Sequence, residues 1–136
     1  MRRRIVIADD DSTMINLIST RLSMALFDVI PAESGPEAVR LIRKSEPVAA
    51  ILDVNMPGGT GLEALSILKA DPIMSKLPVM MLSGERDPDT VMNAMSAGAD
   101  DYMVKPFNPE RFLERVNRLT QGSGVSWGKA SPVWEL

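Results

Sequence analysis

Five polar side chains each stand at the end of a short apolar run: Asp9 and Asp10 after Ile5-Val6-Ile7-Ala8, Asp53 after Val48-Ala49-Ala50-Ile51-Leu52, Ser83 after Val79-Met80-Met81-Leu82, and Lys105 after Tyr102-Met103-Val104. Read singly, an aspartate in such a place is a turn or cap residue. Read together, the set suggests a cation and phosphoryl site. Crowded carboxylates repel one another unless a hard cation sits among them, and magnesium takes oxygen donors of this kind. An ammonium and a hydroxyl could then hold phosphoryl oxygens as charge redistributes in the transition state. A carboxylate can itself attack phosphorus and become an acyl phosphate. Asp53 is the preferred nucleophile, because Gly58, Gly59 and Gly61 open the loop behind it to a bulky donor.

Composition narrows the alternatives. The 136 residues hold no cysteine and no histidine, so thiol chemistry, Ser-His and Cys-His nucleophile pairs and the usual zinc sites are excluded. Net charge is −3, with no broad basic surface to track a phosphate backbone, so direct nucleic-acid binding is not expected. The basic start Arg2-Arg3-Arg4 is followed by only four apolar residues before Asp9, too few for a signal-peptide core. No stretch reaches membrane-spanning length. The expected location is cytoplasmic. A hydrophobic fraction of 45% against 24% charged residues is globular composition, and the length suits one domain.

The elements that must position these groups alternate along the chain, apolar strand then amphipathic helix, as in βα units around a parallel sheet. Strands are expected at Ile5–Ala8, Phe27–Ile30, Val48–Leu52, Val79–Leu82 and Tyr102–Val104. Helices follow each, opened by Asp11 and Ser12, by Ser34 with Glu37 at capping-box spacing, by the glycine loop before Leu62, by Asp87-Pro88, and by Asn108-Pro109. Asp11 reads as a helix cap and not as a metal ligand. The ten methionines read as core filling. After Leu119 the pattern stops, and Gly122-Ser123-Gly124 leads into a segment with Trp127, Val133 and Trp134, read as a linker stub or floppy terminus in preference to a docking segment. In open α/β sheets ligands bind beyond the carboxyl ends of the strands, where Asp9, Asp10, Asp53, Ser83 and Lys105 all fall.

Four segments carry a resemblance: Ile7-Ala8-Asp9-Asp10, Leu52-Asp53-Val54-Asn55-Met56-Pro57, Met81-Leu82-Ser83-Gly84 and Gly98-Ala99-Asp100-Asp101-Tyr102-Met103-Val104-Lys105-Pro106-Phe107. In this order and spacing the chain resembles the receiver domain of two-component response regulators, most closely the small chemotaxis-type receivers, from about Arg4 to Leu119. The resemblance implies a flavodoxin-like (βα)5 three-layer sandwich with strand order 2-1-3-4-5, an arrangement for which this family is itself a standing example. It implies a receiver domain over residues 1–121 with residues 122–136 as tail or linker. It makes Asp53 the phosphoacceptor and a metal ligand, Asp9 and Asp10 the magnesium-holding pair, and Asn55 a backbone-carbonyl ligand. Ser83 and Lys105 become the groups that meet the phosphoryl oxygens, Ser83 and Tyr102 the switch residues, and Lys105-Pro106 a cis peptide.

The implied donor is a histidine kinase or histidine phosphotransfer protein, necessarily external because this chain has no histidine. The implied readout is the surface of helix 4, strand 5 and helix 5, which would meet an output protein or effector domain, or a second copy in a phosphorylation-dependent dimer. Arg86, Arg111 and Arg115 could lie near it, although solvated helix charges are the simpler reading. The chain would be a switch and not a turnover enzyme, catalysing only its own phosphorylation and dephosphorylation. One departure is the loop Gly58-Gly59-Thr60-Gly61, where the family usually carries a Met-Asp pair; this bears on loop conformation and partner fit. A haloacid-dehalogenase-type phosphatase would need a second aspartate where Asn55 stands, and a flavodoxin would need a Ser/Thr/Gly-rich phosphate loop after strand 1.

Overall fold

The computed structural model describes residues 3–56, 60–84, 87–121, 125 and 127. Ten major elements alternate: β1 (Arg3–Ala8), α1 (Ser12–Met24), β2 (Phe27–Ala32), α2 (Gly35–Ser45), β3 (Ala49–Asp53), α3 (Gly61–Ala70), β4 (Val79–Ser83), α4 (Pro88–Ser96), β5 (Asp101–Val104) and α5 (Pro109–Thr120). A short 3-10 helix at Met74–Lys76, not expected from the sequence, joins α3 to β4. All strand pairs are parallel, in the order β2-β1-β3-β4-β5. This is the expected flavodoxin-like arrangement.

The period of two along each strand divides the core between the two faces of the sheet. Val6, Ala8, Ala50, Leu52, Val79 and Met81 face one core with Ala38, Ile42, Leu65 and Leu68 of α2 and α3. Ile5, Ile7, Ala49, Ile51, Met80 and Leu82 face the other, with Ile18 and Leu22 of α1 and Phe112 and Val116 of α5. Strands buried on both faces read as continuous apolar runs, which is why they were visible without alternation.

Caps set the helix starts. Asp11 accepts from the backbone N–H groups of Thr13 and Met14, Ser34 from Glu37, and Asn108 from Glu110 and Arg111. Thr60 and Glu63 form a reciprocal capping box on α3.

Two details differ from expectation, and Leu26 adds a third feature on which the sequence carried no reading. Strand β2 continues through Pro31 to Ala32, which an edge strand tolerates because its outer N–H groups need no partner. Five methionines, Met56, Met74, Met80, Met81 and Met103, are core residues, but Met24, Met92 and Met95 are exposed on helices. Leu26, in the α1–β2 turn, has φ 70° with 72% of its surface exposed. The left-handed region costs a side chain with Cβ about 1 kcal/mol, and an exposed leucine recovers little of it by packing. Leu26→Gly is therefore expected to raise stability by about 1 kcal/mol, measured as a higher urea midpoint at unchanged slope.

The expected loop residues Pro57, Gly58 and Gly59, the surface residue Arg86, the hinge 122–124 and Val133 and Trp134 lie outside the described residues. No helix among the described residues is long and apolar enough to cross a membrane.

Candidate functional site

The alternation that builds the core also builds the site. Two residues past Ile7, Ile51 and Met103, all on the α1/α5 side, come Asp9, Asp53 and Lys105. Because β1, β3, β4 and β5 lie side by side with their carboxyl ends together, these three side chains converge. The Lys105 ammonium lies 2.8 Å from Asp9 Oδ2 and 3.2 Å from Asp53 Oδ2. Carboxylate oxygens of Asp9, Asp10 and Asp53 all lie within 4.8 Å of one another. Asp9 is fully buried, Asp53 is 6% exposed, and Asp10 is exposed.

Backbone donors hold the acids in place. The Asp11 N–H donates to Asp9 Oδ1 at 2.9 Å, so Asp11 serves as the α1 cap and an anchor for Asp9 and is not in the carboxylate cluster. The Asn55 N–H donates to Asp53 Oδ1 at 3.2 Å. Ser83 closes β4 and is buried; its carbonyl accepts from the Lys105 N–H at 2.8 Å. By alternation Ser83 shares the side of Met81, where Tyr102 is packed into the α2/α3-side core. The Lys105-Pro106 peptide is cis. A cleft of about 330 Å³ opens from Asp9 and Asp10 and is walled in part by Asn16, Glu33 and Glu37.

The charges do not balance. Three carboxylates face one ammonium, which leaves two net negative charges at a site where two of the acids are buried. Burial, reinforced by the neighbouring Asp9 charge, pushes the Asp53 carboxyl above its ordinary value despite attraction to Lys105. For Lys105, burial acts against the charge, but the Asp9 hydrogen bond and the charges of Asp53 and Asp9 outweigh it and raise the ammonium above its usual value. The donor set is all oxygen and the two net negative charges match a divalent cation, so it fits magnesium and not a thiolate- or imidazole-seeking metal.

A carboxyl whose folded-state pKa is raised binds its proton more readily folded than unfolded, so its ionisation opposes folding. That penalty is absent below the ordinary value of 3.8 and complete above the raised one. In chelator, Asp53→Asn is expected to melt above the wild type at neutral pH, with the gap closing as acid protonates the wild-type carboxyl. Magnesium is expected to raise the wild-type melting temperature more than that of the variant. Calorimetry across pH, with and without the metal, checks both.

Two residues named from the sequence take parts that it did not show. Gly61, the first residue of α3, packs on Asp53 itself: a Cβ there would lie 2.0 Å from the Asp53 carbonyl oxygen, and its N–H donates to the Val54 carbonyl. The sequence reading placed Gly61 in an open loop behind Asp53, whereas it starts α3 and is packed closely against Asp53. Arg115 forms an ion pair with Asp101 and reaches the Tyr102 carbonyl at 3.3 Å, tying α5 to β5 beside the expected switch tyrosine. It lines, with Arg111, a wider cleft of about 820 Å³ along α5, remote from the acids.

Residues 5–117 match the family model described as response regulator receiver domain. The chain is 34% identical over 116 residues to the DNA-binding response regulator MtrA of Mycobacterium tuberculosis, covering 85% of this chain and 50% of that protein. It is 30% identical over 122 residues to the phosphate regulon transcriptional regulatory protein PhoB of Pseudomonas aeruginosa, covering 90% and 53%. It thus spans about half the length of these relatives. The structure of chemotaxis response regulator CheY4 of Vibrio cholerae superposes with a TM-score of 0.82 at 30% identity, covering 88% of this chain and 99% of that one.

Proposed function

This chain belongs to the response regulator receiver domain family, and on that premise we propose that Asp53 accepts a phosphoryl group from a phosphohistidine on a histidine kinase or phosphotransfer protein. The observation that carries this reading is the charge imbalance: two buried acids and an exposed third around one ammonium. Such a site favours a cation and an incoming group that brings its own oxygens. An Asp53 oxygen attacks phosphorus, the bond to the donor imidazole nitrogen breaks, and that nitrogen leaves with the electron pair.

Asp9, Asp10, Asp53 and the Asn55 backbone carbonyl are the residues that would hold magnesium. When bound, the ion would neutralise the crowded acids and shield charge on the phosphoryl oxygens. Lys105, already 3.2 Å from Asp53 Oδ2, holds one of those oxygens, and the Ser83 hydroxyl turns to hold another. Because alternation sets Ser83 on the side where Tyr102 packs, movement of the hydroxyl frees or fills space beside the tyrosine ring. The α4–β5–α5 surface, braced by the Arg115–Asp101 pair, then shifts between two arrangements. That surface meets an output protein, an attached effector domain or a second copy of the chain. Water attack on the acyl phosphate resets the switch.

Incubation with acetyl phosphate and magnesium, followed by intact-protein mass spectrometry, tests the chemistry. One labile adduct of a phosphoryl group, absent with chelator, is expected. A stable adduct, or none on folded protein with any phosphodonor, contradicts it.

A further inference from the structure

Trp127 is seated at the end of the domain opposite Asp53. Its indole Nε1–H donates to the Pro47 carbonyl at 2.7 Å, and Pro47 lies just before β3, the strand that ends at Asp53. With Arg43 and Glu46 at the end of α2, Asp71 at the end of α3, and Ile73 and Met74, Trp127 lines an open cleft of about 210 Å³. Val125 and Trp127 pack against the α2/α3-side core. The chemistry is matched: Pro47 follows Glu46, the left-handed cap of α2, and presents a carbonyl that no backbone N–H among the described residues claims. An indole N–H is a donor with no acceptor function, on a ring that also buries apolar area.

The path is notable. Helix α5 packs on the α1 side of the sheet, while Trp127 sits with α2 and α3 on the other side. Gln121 caps α5, and the six residues from there to Trp127 reach roughly 20 Å when extended. Chain outside the regular elements frays unless something ties it down, and at Trp127 a hydrogen bond and a packed ring do so.

We propose that Trp127 docks on the α2/α3 side as part of the receiver unit, so that the chain beyond α5 is held there and not at the end of α5. The proposal does not depend on Asp53 being phosphorylated.

Trp127 and Trp134 are the two tryptophans and there is no cysteine, so Trp134→Phe leaves a single indole reporter and Gly128→Cys takes a single spin label. In Trp134→Phe, the indole N–H is expected to exchange at least about tenfold more slowly than in the unfolded chain, and its emission to shift on unfolding at the same urea midpoint as far-UV circular dichroism. The spin label is expected to broaden the amide signals of Arg43, Glu46, Ile73 and Met74, and to lose that effect when Trp127→Ala is added to a protein whose other amide signals remain native. An unprotected indole, or equal broadening with and without Trp127, overturns the docking of Trp127.

Discussion

Lys105→Met is expected to cost the folded domain about 3 kcal/mol in chelator, because removing one partner of a buried ion pair strands the others. Lys105 is the shared counter-ion of a fully buried Asp9 and a nearly buried Asp53. The replacement keeps the length of the stem and deletes the charge, so packing is retained and the loss is electrostatic. Magnesium is expected to restore much of that stability, since a divalent cation meets the same carboxylates. It is not expected to restore phosphorylation. With no ammonium near Asp53 Oδ2, adduct formation should slow by about 10²-fold or more. Urea melts with and without magnesium, beside acetyl-phosphate labelling, separate the two effects. A variant that labels at the wild-type rate would remove Lys105 from the chemistry.

Gly61→Ala is the second change expected to act strongly, and through the backbone. The added methyl would sit 2.0 Å from the Asp53 carbonyl oxygen and 2.8 Å from its carbonyl carbon. Neither atom can step aside without moving β3 or lifting α3 off it. Forced overpacking of this kind costs about 3 kcal/mol, and it displaces the residue that carries the nucleophile. A lower urea midpoint together with slower labelling at Asp53 is expected. Gly84→Ala is the matched control: nothing lies within 4 Å of a Cβ at Gly84, so both readouts should stay at wild type although this residue also flanks the site. Equal effects of the two substitutions would mean that glycine matters here for loop freedom and not for close approach.

The parts of the molecule visible in the sequence are those with a local signature. Strands buried on both faces show as apolar runs, caps show as Asp, Ser or Asn before Pro or Glu, and polar residues at strand ends show by position alone. That was enough to place Asp9, Asp10, Asp53, Ser83 and Lys105 at one edge of the sheet. The meeting of Asp9 and Asp53 at one lysine needs the β1–β3 register of Ile7 with Ile51, which no local pattern encodes. The same holds for Gly61 against Asp53, for the Arg115–Asp101 pair, and for Trp127 against Pro47, whose contacts span 80 residues. Exposed Met92 and Met95 escaped because a methionine on a helix of nine residues carries no mark of which face it takes. Leu26 adopts a left-handed conformation where propensity favours glycine, so residue type gave no warning.

The most direct measurement traps the acyl phosphate at its residue. Protein labelled with acetyl phosphate and magnesium is reduced with borohydride, which converts an aspartyl phosphate to homoserine, and is then digested and sequenced by mass spectrometry. Homoserine at position 53 alone, and none in protein carrying Asp53→Asn, is the expected result. Homoserine at Asp9 or Asp10, or a phosphoryl group that resists reduction because it sits on a hydroxyl such as Ser83, would contradict Asp53 as the acceptor.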